Sequence, residues 1–457
     1  MPIKAKKQKV QYCCQSCGAI SPRWMGRCNE CNSWNSFIEE VVQSSINRKN
    51  ASQKGNGAPI SLSEISFNQE DRTTVGSQEF NRVLGGGIVP GSVILIGGDP
   101  GIGKSTLMLQ EAVNLARQEL PVLYVTGEES AQQTKLRAQR LGLDSEFLFV
   151  LPETDLNNVC SAIEKLNPSL VIVDSIQTVF QPAYESSPGS ISQVRECALE
   201  FSNIAKKKNI AFFLIGHVTK EGYLAGPKVL EHMVDVVLHF EGDRDHFYRI
   251  LRSEKNRFGS TREIAVFEMT ESGLKEVANP SALFLAQRKK NISGSSVICT
   301  VAGTRPLLVE IQALATATNY GLPQRTATGI DPKRLSLLLA VLEKRVGLGL
   351  GSYDVFVNAA GGVRIDEPSA DLGILVSIAS SFKEQVVNPQ AVIIGEVGLG
   401  GEIRAVPQIE KRIDEASKLG FKTAVIPKVN IQGLEETSSL KFIPVDTVED
   451  ALEGVLV

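Results

Sequence analysis

Val93–Met108 reads VILIGGDPGIGKSTLM. An aliphatic run, Val93–Ile96, leads into G-x-x-x-x-G-K-S from Gly98 to Ser105, and an apolar periodicity then predicts a helix beginning near Lys104. Each residue type has a physical reason. Gly98, Gly101 and Gly103 let the backbone curl so that its N–H groups face phosphate oxygens. The helix start adds the positive end of its dipole. Lys104 is spaced to reach the β- and γ-phosphates of ATP, and the Ser105 hydroxyl to bind Mg²⁺. The nucleotide-binding stretch is therefore Gly98, Asp99, Pro100, Gly101, Ile102, Gly103, Lys104, Ser105 and Thr106. A purely structural glycine turn leaves the Lys104–Ser105 pair without a purpose.

Outward from this loop, short aliphatic runs alternate with helical patterns. The strand candidates are Val93–Ile96, Val122–Val125, Phe147–Leu151, Leu170–Val173, Ala211–Ile215 and Val236–Phe240. Such runs, spaced by helices, predict an α/β core whose mostly parallel sheet is covered on both faces. Phe247–Leu251 and Ile264–Met269 read as extra, antiparallel strands. SLVIVDSIQT ends a strand in Asp174, suited to hold Mg²⁺ through water, and VLYVTGEES ends one in Glu128 and Glu129. A carboxylate there orients the attacking water; Glu128 is favoured as the base over Glu129. His217 follows another strand end, where it would sense the γ-phosphate or simply cap a turn.

The chain has 457 residues, with 42% hydrophobic and 22% charged residues and a net charge of −3. Several domains are expected, and any nucleic-acid binding must come from local basic surfaces rather than global charge. The basic N-terminus has no apolar core after it and no run of 18 apolar residues exists, so neither a secretory signal nor a membrane span is expected, and the location reads as cytoplasmic. Residues 1–40 hold a cysteine cluster, residues 41–59 read as a flexible polar linker, residues 60–275 as the ATPase domain and residues 280–457 as a further α+β domain.

Of eight cysteines, five crowd between Cys13 and Cys31. Two C-x-x-C pairs separated by ten residues give Cys14, Cys17, Cys28 and Cys31, the spacing of a tetrahedral Cys₄ zinc site. No open coordination position or nearby acid–base group accompanies it, so the Zn²⁺ is structural. Arg23, Trp24 and Arg27 on its loop suit contact with either DNA or protein.

Arg82–Thr106 resembles the start of the RecA-type ATPase core, and Lys255-Asn256-Arg257-Phe258-Gly259 is similar to the KNRFG signature of the bacterial RadA (Sms) family. With the cysteine cluster and the C-terminal block, the resemblance spans essentially the whole chain. It implies a DNA-dependent ATPase of homologous recombination and DNA repair. Such a protein forms a homo-oligomeric ring, expected to be hexameric, and drives branch migration on single-stranded and branched DNA beside the recombinase RecA. Lys255 and Arg257 then read as cations that complete a neighbouring subunit's site, as an arginine finger does. Val218–Asp235 lies where RecA-type proteins carry a DNA-facing loop, with Lys220, Tyr223 and Lys228 for charge and stacking and Gly222 and Gly226 for mobility.

YDVFVNAAGGVRIDEPSADLGILVSIASS, from Tyr353, resembles the proteolytic domain of Lon, which uses a Ser-Lys dyad. Ser369 takes the serine position. Aligning on EASKLG puts Glu410 at the base position, with Lys411 one residue away, and Glu367 and Asp371 add negative charge beside the serine. A serine without a positioned base is not activated, so the domain reads as a Lon-like scaffold without peptidase activity. Candidate DNA-contacting cations are Arg288, Lys289, Lys290, Arg305, Arg325, Lys333, Arg334, Lys344 and Arg345. The alternatives are an ATP-dependent Lon-type serine protease and a non-motor RecA-like switch of the circadian KaiC type.

Overall fold

The structure, a computed structural model, describes residues 9–14, 19–30, 32, 34–42, 61, 72–184, 186–216, 228–242, 248–261, 263–318, 321–432, 434 and 440–457. The chain resolves into two units, Met1–Glu276 and Val277–Val457.

Unit 1 begins with a small antiparallel sheet of β1 (Lys9–Cys14), β2 (Ile20–Ser21) and β3 (Phe37–Val42), in the order β2-β1-β3. The ATPase part follows as α1 (Gln78–Leu84), β4 (Val93–Gly98), α2 (Lys104–Ala116), β5 (Val122–Thr126), α3 (Ala131–Arg140), β6 (Leu148–Pro152), α4 (Leu156–Leu166), β7 (Leu170–Asp174), α5 (Ile191–Lys208), β8 (Ala211–Ile215), α6 (Lys228–Met233) and β9 (Val236–Glu241). It ends with β10 (Tyr248–Asn256), β11 (Ile264–Thr270) and β12 (Gly273–Glu276). These strands form one sheet, β12-β11-β10-β9-β4-β8-β7-β5-β6. The six strands from β9 to β6 are parallel, and β10–β12 extend the sheet antiparallel.

The aliphatic runs are continuous, rather than alternating, because both faces are covered. Residues of α1, α2 and α3 pack on one face around Ile94, Ile96, Tyr124 and Ile172. Residues of α4, α5 and α6 pack on the other around Val93, Leu95, Val171 and Leu214. Each fully buried Val, Leu or Ile contributes about 1.5–3 kcal/mol of transfer free energy. Parallel order brings the carboxyl ends of β4, β5, β7 and β8 to one edge, where ligands of open α/β sheets bind.

Unit 2 contains α7 (Pro280–Leu285), β13 (Ser295–Ala302), β14 (Arg305–Ala317), β15 (Arg325–Thr328), α8 (Pro332–Lys344), β16 (Tyr353–Ala359), α9 (Asp371–Lys383), β17 (Ala391–Ile393), β18 (Glu396–Val397) and β19 (Ile403–Arg404). It closes with α10 (Ile409–Lys418), β20 (Thr423–Pro427), β21 (Lys441–Val445) and α11 (Val448–Val455). Its main sheet is mixed, in the order β15-β16-β14-β13-β17-β20-β21, with an apolar core that includes Val297, Leu308, Val392, Ile413 and Ile426.

Candidate active site

The loop after β4 has the conformation that its glycines permit. Gly98 has φ 153°, and a Cβ there would lie 2.4 Å from the Phe240 carbonyl oxygen on β9, so only glycine fits. Gly101 has φ 79°, in the left-handed region that favours glycine, and nothing lies within 4 Å of a Cβ built there. Helix α2 starts at Lys104 with Gly103 as its N-cap, no side-chain cap and no acid in its first turn. Its first N–H groups therefore suit an anion.

Lys104 is buried, with Nζ donating to the Gly98 carbonyl at 2.7 Å and the Asp99 carbonyl at 2.9 Å. Burial pulls its ammonium below the ordinary lysine range, and the carboxylates of Asp174, Asp99 and Glu128 partly offset this. These three acids converge on one lysine although they come from three different strand ends.

Asp174, at the end of β7, is 4% exposed. Its Oδ2 accepts a hydrogen bond from Tyr124 Oη at 2.6 Å, while its Oδ1 is buried with no partner among the described residues. An orphaned buried carboxylate oxygen beside a phosphate loop fits a hard divalent cation such as Mg²⁺.

Two adjacent acids after β5 separate cleanly. Glu128 is exposed at the strand ends, and its Oε1 accepts a hydrogen bond from Ser175 Oγ at 2.7 Å. Glu129 instead pairs with Arg137 of α3 at 3.0 Å and accepts from Thr134 Oγ1 at 3.4 Å.

The KNRFG stretch behaves differently from its reading as two free cations. Lys255 Nζ donates to the Glu231 and Val234 carbonyls at 2.6 and 2.7 Å, clamping the end of α6. Asn256 is buried; its Nδ2 donates to the Val83 carbonyl of α1, and its Oδ1 accepts from the Phe258 N–H. A Cβ on Gly259 would come within 2.8 Å of Gly85 Cα, so the turn and α1 meet backbone to backbone. Arg257 alone projects, its side chain 54% exposed, with Nη1 3.1 Å from Asp235 Oδ1. Nothing in the motif's spacing reveals that Lys255 has two carbonyl partners within its own chain.

Cys14, at the end of β1, and Cys28, between β2 and β3, are both buried. Cys14 N–H donates to the Ala19 carbonyl and Asn32 N–H to the Cys28 carbonyl, each at 2.9 Å, with Asn32 at φ 61°. The Cys14 and Cys28 thiols, two of the four in the C-x-x-C pairs, are donors of the type that fits Zn²⁺. Cys17, Cys31, His217, Lys220, Gly222, Tyr223, Gly226 and the Lys228 side chain lie outside the described residues.

In unit 2, Ser369 is buried in a turn just before α9. Glu410 and Lys411 do not face it: both are exposed on α10. The group beside the serine is Arg412, 1% exposed, whose Nη1 lies 3.1 Å from Ser369 Oγ. It donates to the Cys299 carbonyl at 2.7 Å and forms an ion pair with Glu367. The expected excess of negative charge is also corrected, because Glu367 is paired with Arg412 and Asp371 with Arg334. Arg288, Arg305 and Arg325, read as candidate DNA contacts, donate to the carbonyls of Pro389, Ala278 and Leu350 respectively. Lys289, Lys290, Lys333, Lys344 and Arg345 are exposed.

A doubly covered parallel sheet with a phosphate loop after β4 and acids after β5 and β7 defines a P-loop ATPase of the RecA type. Residues 62–223 match the AAA domain, residues 12–39 a rubredoxin metal binding domain, and residues 350–457 the Lon protease (S16) C-terminal proteolytic domain. The chain is 54% identical to DNA repair protein RadA of Halalkalibacterium halodurans, over 98% of this chain and 99% of that one. It is 54% identical to DNA repair protein RadA of Bacillus subtilis, with the same coverage, and 50% identical to that of Listeria monocytogenes over 98% and 99%. The chain belongs to the DNA repair protein RadA family, and is a DNA-repair ATPase. A solved KaiC-like protein from Pyrococcus horikoshii OT3 is 21% identical, with a TM-score of 0.38, covering 45% of this chain and 98% of that one. No helix among the described residues is long and apolar enough to cross a membrane.

Proposed function

We propose that this protein hydrolyses ATP at the loop Gly98–Thr106 and uses the cycle to move branched DNA during recombination and repair. The observation that carries the catalytic half is the convergence of Lys104, Asp174 and Glu128, with Asp174 Oδ1 buried and unpartnered. Lys104 holds the β- and γ-phosphates. Ser105 and Asp174 hold Mg²⁺, which when bound neutralises charge developing on those phosphates. Glu128, fixed by Ser175, takes the position of the base that orients water. Glu128→Gln is expected to lower turnover by about a hundredfold or more while keeping nucleotide binding. Glu129→Gln, which only loosens the Arg137 pair, should keep turnover within a few-fold. Steady-state phosphate release alongside binding of a fluorescent ATP analogue checks both, and equal loss in the two variants would remove Glu128 from its role.

Arg257 is the member of the KNRFG stretch whose exposure suits a site completed by a second copy of the chain. The pair joins a half-exposed Arg257 to the buried Asp235, which also accepts from the Val93 N–H, so Arg257→Ala is expected to lose some stability while still binding ATP. It is expected to lose DNA-stimulated turnover by about tenfold or more. Wild-type stimulation in that variant would count against a trans-acting role. Lys255 is read as a support for α6 that keeps this segment in register, with a role in catalysis only through that segment.

The remaining assignments follow the same reading. The four cysteines Cys14, Cys17, Cys28 and Cys31 hold structural Zn²⁺. The segment around Lys220, Tyr223 and Lys228 faces single-stranded DNA, in a ring of copies that acts beside the recombinase RecA. Unit 2 serves assembly rather than proteolysis, since a guanidinium does not give up its proton to act as a base toward Ser369.

A further inference from the structure

Beneath the candidate Mg²⁺ site lies a polar chain that the reaction as described does not use. Tyr124, in the middle of β5, is fully buried. Its hydroxyl has two neighbours: Asp174 Oδ2 on β7 at 2.6 Å, and Arg137 Nη2 on α3 at 3.3 Å. Arg137 is held in turn by Glu129 at 3.0 Å, and its side chain is 14% exposed. Tyr124 belongs to the apolar core cluster that also holds Ile172, Val113 and Leu109.

The donor inventory fixes the direction of this chain. A guanidinium only donates, so toward Arg137 the Tyr124 oxygen is the acceptor. The hydroxyl has one proton, and Asp174 Oδ2 is the acceptor within reach. One oxygen of Asp174 is thereby committed from below. The other, Oδ1, is left buried without a partner. A tyrosine placed only to fill the core does not account for a buried hydroxyl and guanidinium, each of which is costly unless hydrogen-bonded.

We infer that Tyr124 is a positioning residue that orients the Asp174 carboxylate so that Oδ1 faces Mg²⁺, and that Arg137 and Glu129 hold its hydroxyl in the donating orientation. This rests on the assignment of Asp174 to Mg²⁺ above and extends it to three residues outside the phosphate loop. It also gives Glu129 a task distinct from that of its neighbour Glu128.

Tyr124→Phe removes one hydroxyl and keeps the ring. Binding of a fluorescent ATP analogue to the full-length protein, titrated with Mg²⁺ from an EDTA baseline, reads the effect without turnover. The Mg²⁺ concentration that half-saturates the tightening of binding is expected to rise about tenfold, with affinity in EDTA unchanged within about twofold. Arg137→Met keeps Tyr124 but frees its hydroxyl to rotate, and is expected to raise the same half-saturation about threefold. If the Phe variant does not fold, Arg137→Met decides. Wild-type Mg²⁺ dependence in a folded Tyr124→Phe, or in Arg137→Met where only that variant folds, overturns the inference. A Lys104→Ala control separates the two levels. If it still binds nucleotide normally, the proposed site itself fails; if it does not, and the Tyr124 and Arg137 variants respond like wild type, only the positioning role fails.

Discussion

Lys104→Ala is expected to cut ATP turnover by about a hundredfold or more and to remove most nucleotide binding. Lys104 is placed against the acids Asp174, Asp99 and Glu128, and it is buried. A charge held in such a place costs free energy unless it is compensated, and the compensation here is two backbone carbonyls and three carboxylates. That arrangement stores a donor where phosphate oxygens are expected. Without the ammonium the acids repel an incoming polyphosphate, and the uncapped start of α2 is left to attract it alone. Phosphate release and equilibrium binding measured on the same preparation check the expectation, and turnover near the wild-type rate would contradict it.

Arg412→Ala is expected to destabilise unit 2 by about 3–5 kcal/mol, because it strands Glu367 as an uncompensated, largely buried charge. For a unit of this size the unfolding midpoint should fall by roughly 10 °C. Arg412 also bridges elements that are distant in the chain: the Cys299 carbonyl on β13, the Pro407 carbonyl before α10 and Ser369 before α9. Burial pushes the Glu367 carboxyl up, but the hydrogen bond and charge of Arg412, with the Val301 N–H and Ser369, outweigh it and hold it below the usual range. A depressed carboxyl contributes stability that is fully present above the unfolded value, about pH 4.3, and is lost as pH falls through the folded value. Acid should therefore weaken unit 2 below about pH 4, with a shallower slope in Glu367→Gln. Thermal unfolding of the full-length chain at several pH values reads both effects. An unchanged unfolding profile in Arg412→Ala would show that the pair is not a structural lock.

The phosphate loop was legible because its chemistry is local. Strand, glycines, Lys104 and Ser105 are contiguous, and the spacing itself encodes the backbone curl. The strand-end placement of Asp174 and Glu128 was legible because parallel strands end on one edge, so an acid there is placed by topology alone. The base position in unit 2 was not legible. Which residue of α10 meets Ser369 depends on helix register, and the inward face carries Arg412 while Glu410 and Lys411 face out. The KNRFG stretch was half legible. Its basic character suggested two projecting cations, but Lys255 is taken by the α6 carbonyls, and Asn256 and Gly259 are fixed by α1, far earlier in the chain. Tyr124 read as one more aliphatic-strand residue. Only the register Thr126↔Asp174 and Tyr124↔Ile172 places its hydroxyl under the acid.

The central claim is an ATP cycle at Lys104 coupled to DNA, and the most direct test is the ATPase rate with and without single-stranded and forked DNA, at low and physiological salt. The account predicts a rate raised by DNA, a stimulation that falls steeply as salt screens the phosphate contacts, and a background rate in Lys104→Ala under every condition. A wild-type rate indifferent to either DNA, or a stimulation that persists in Lys104→Ala, would contradict it.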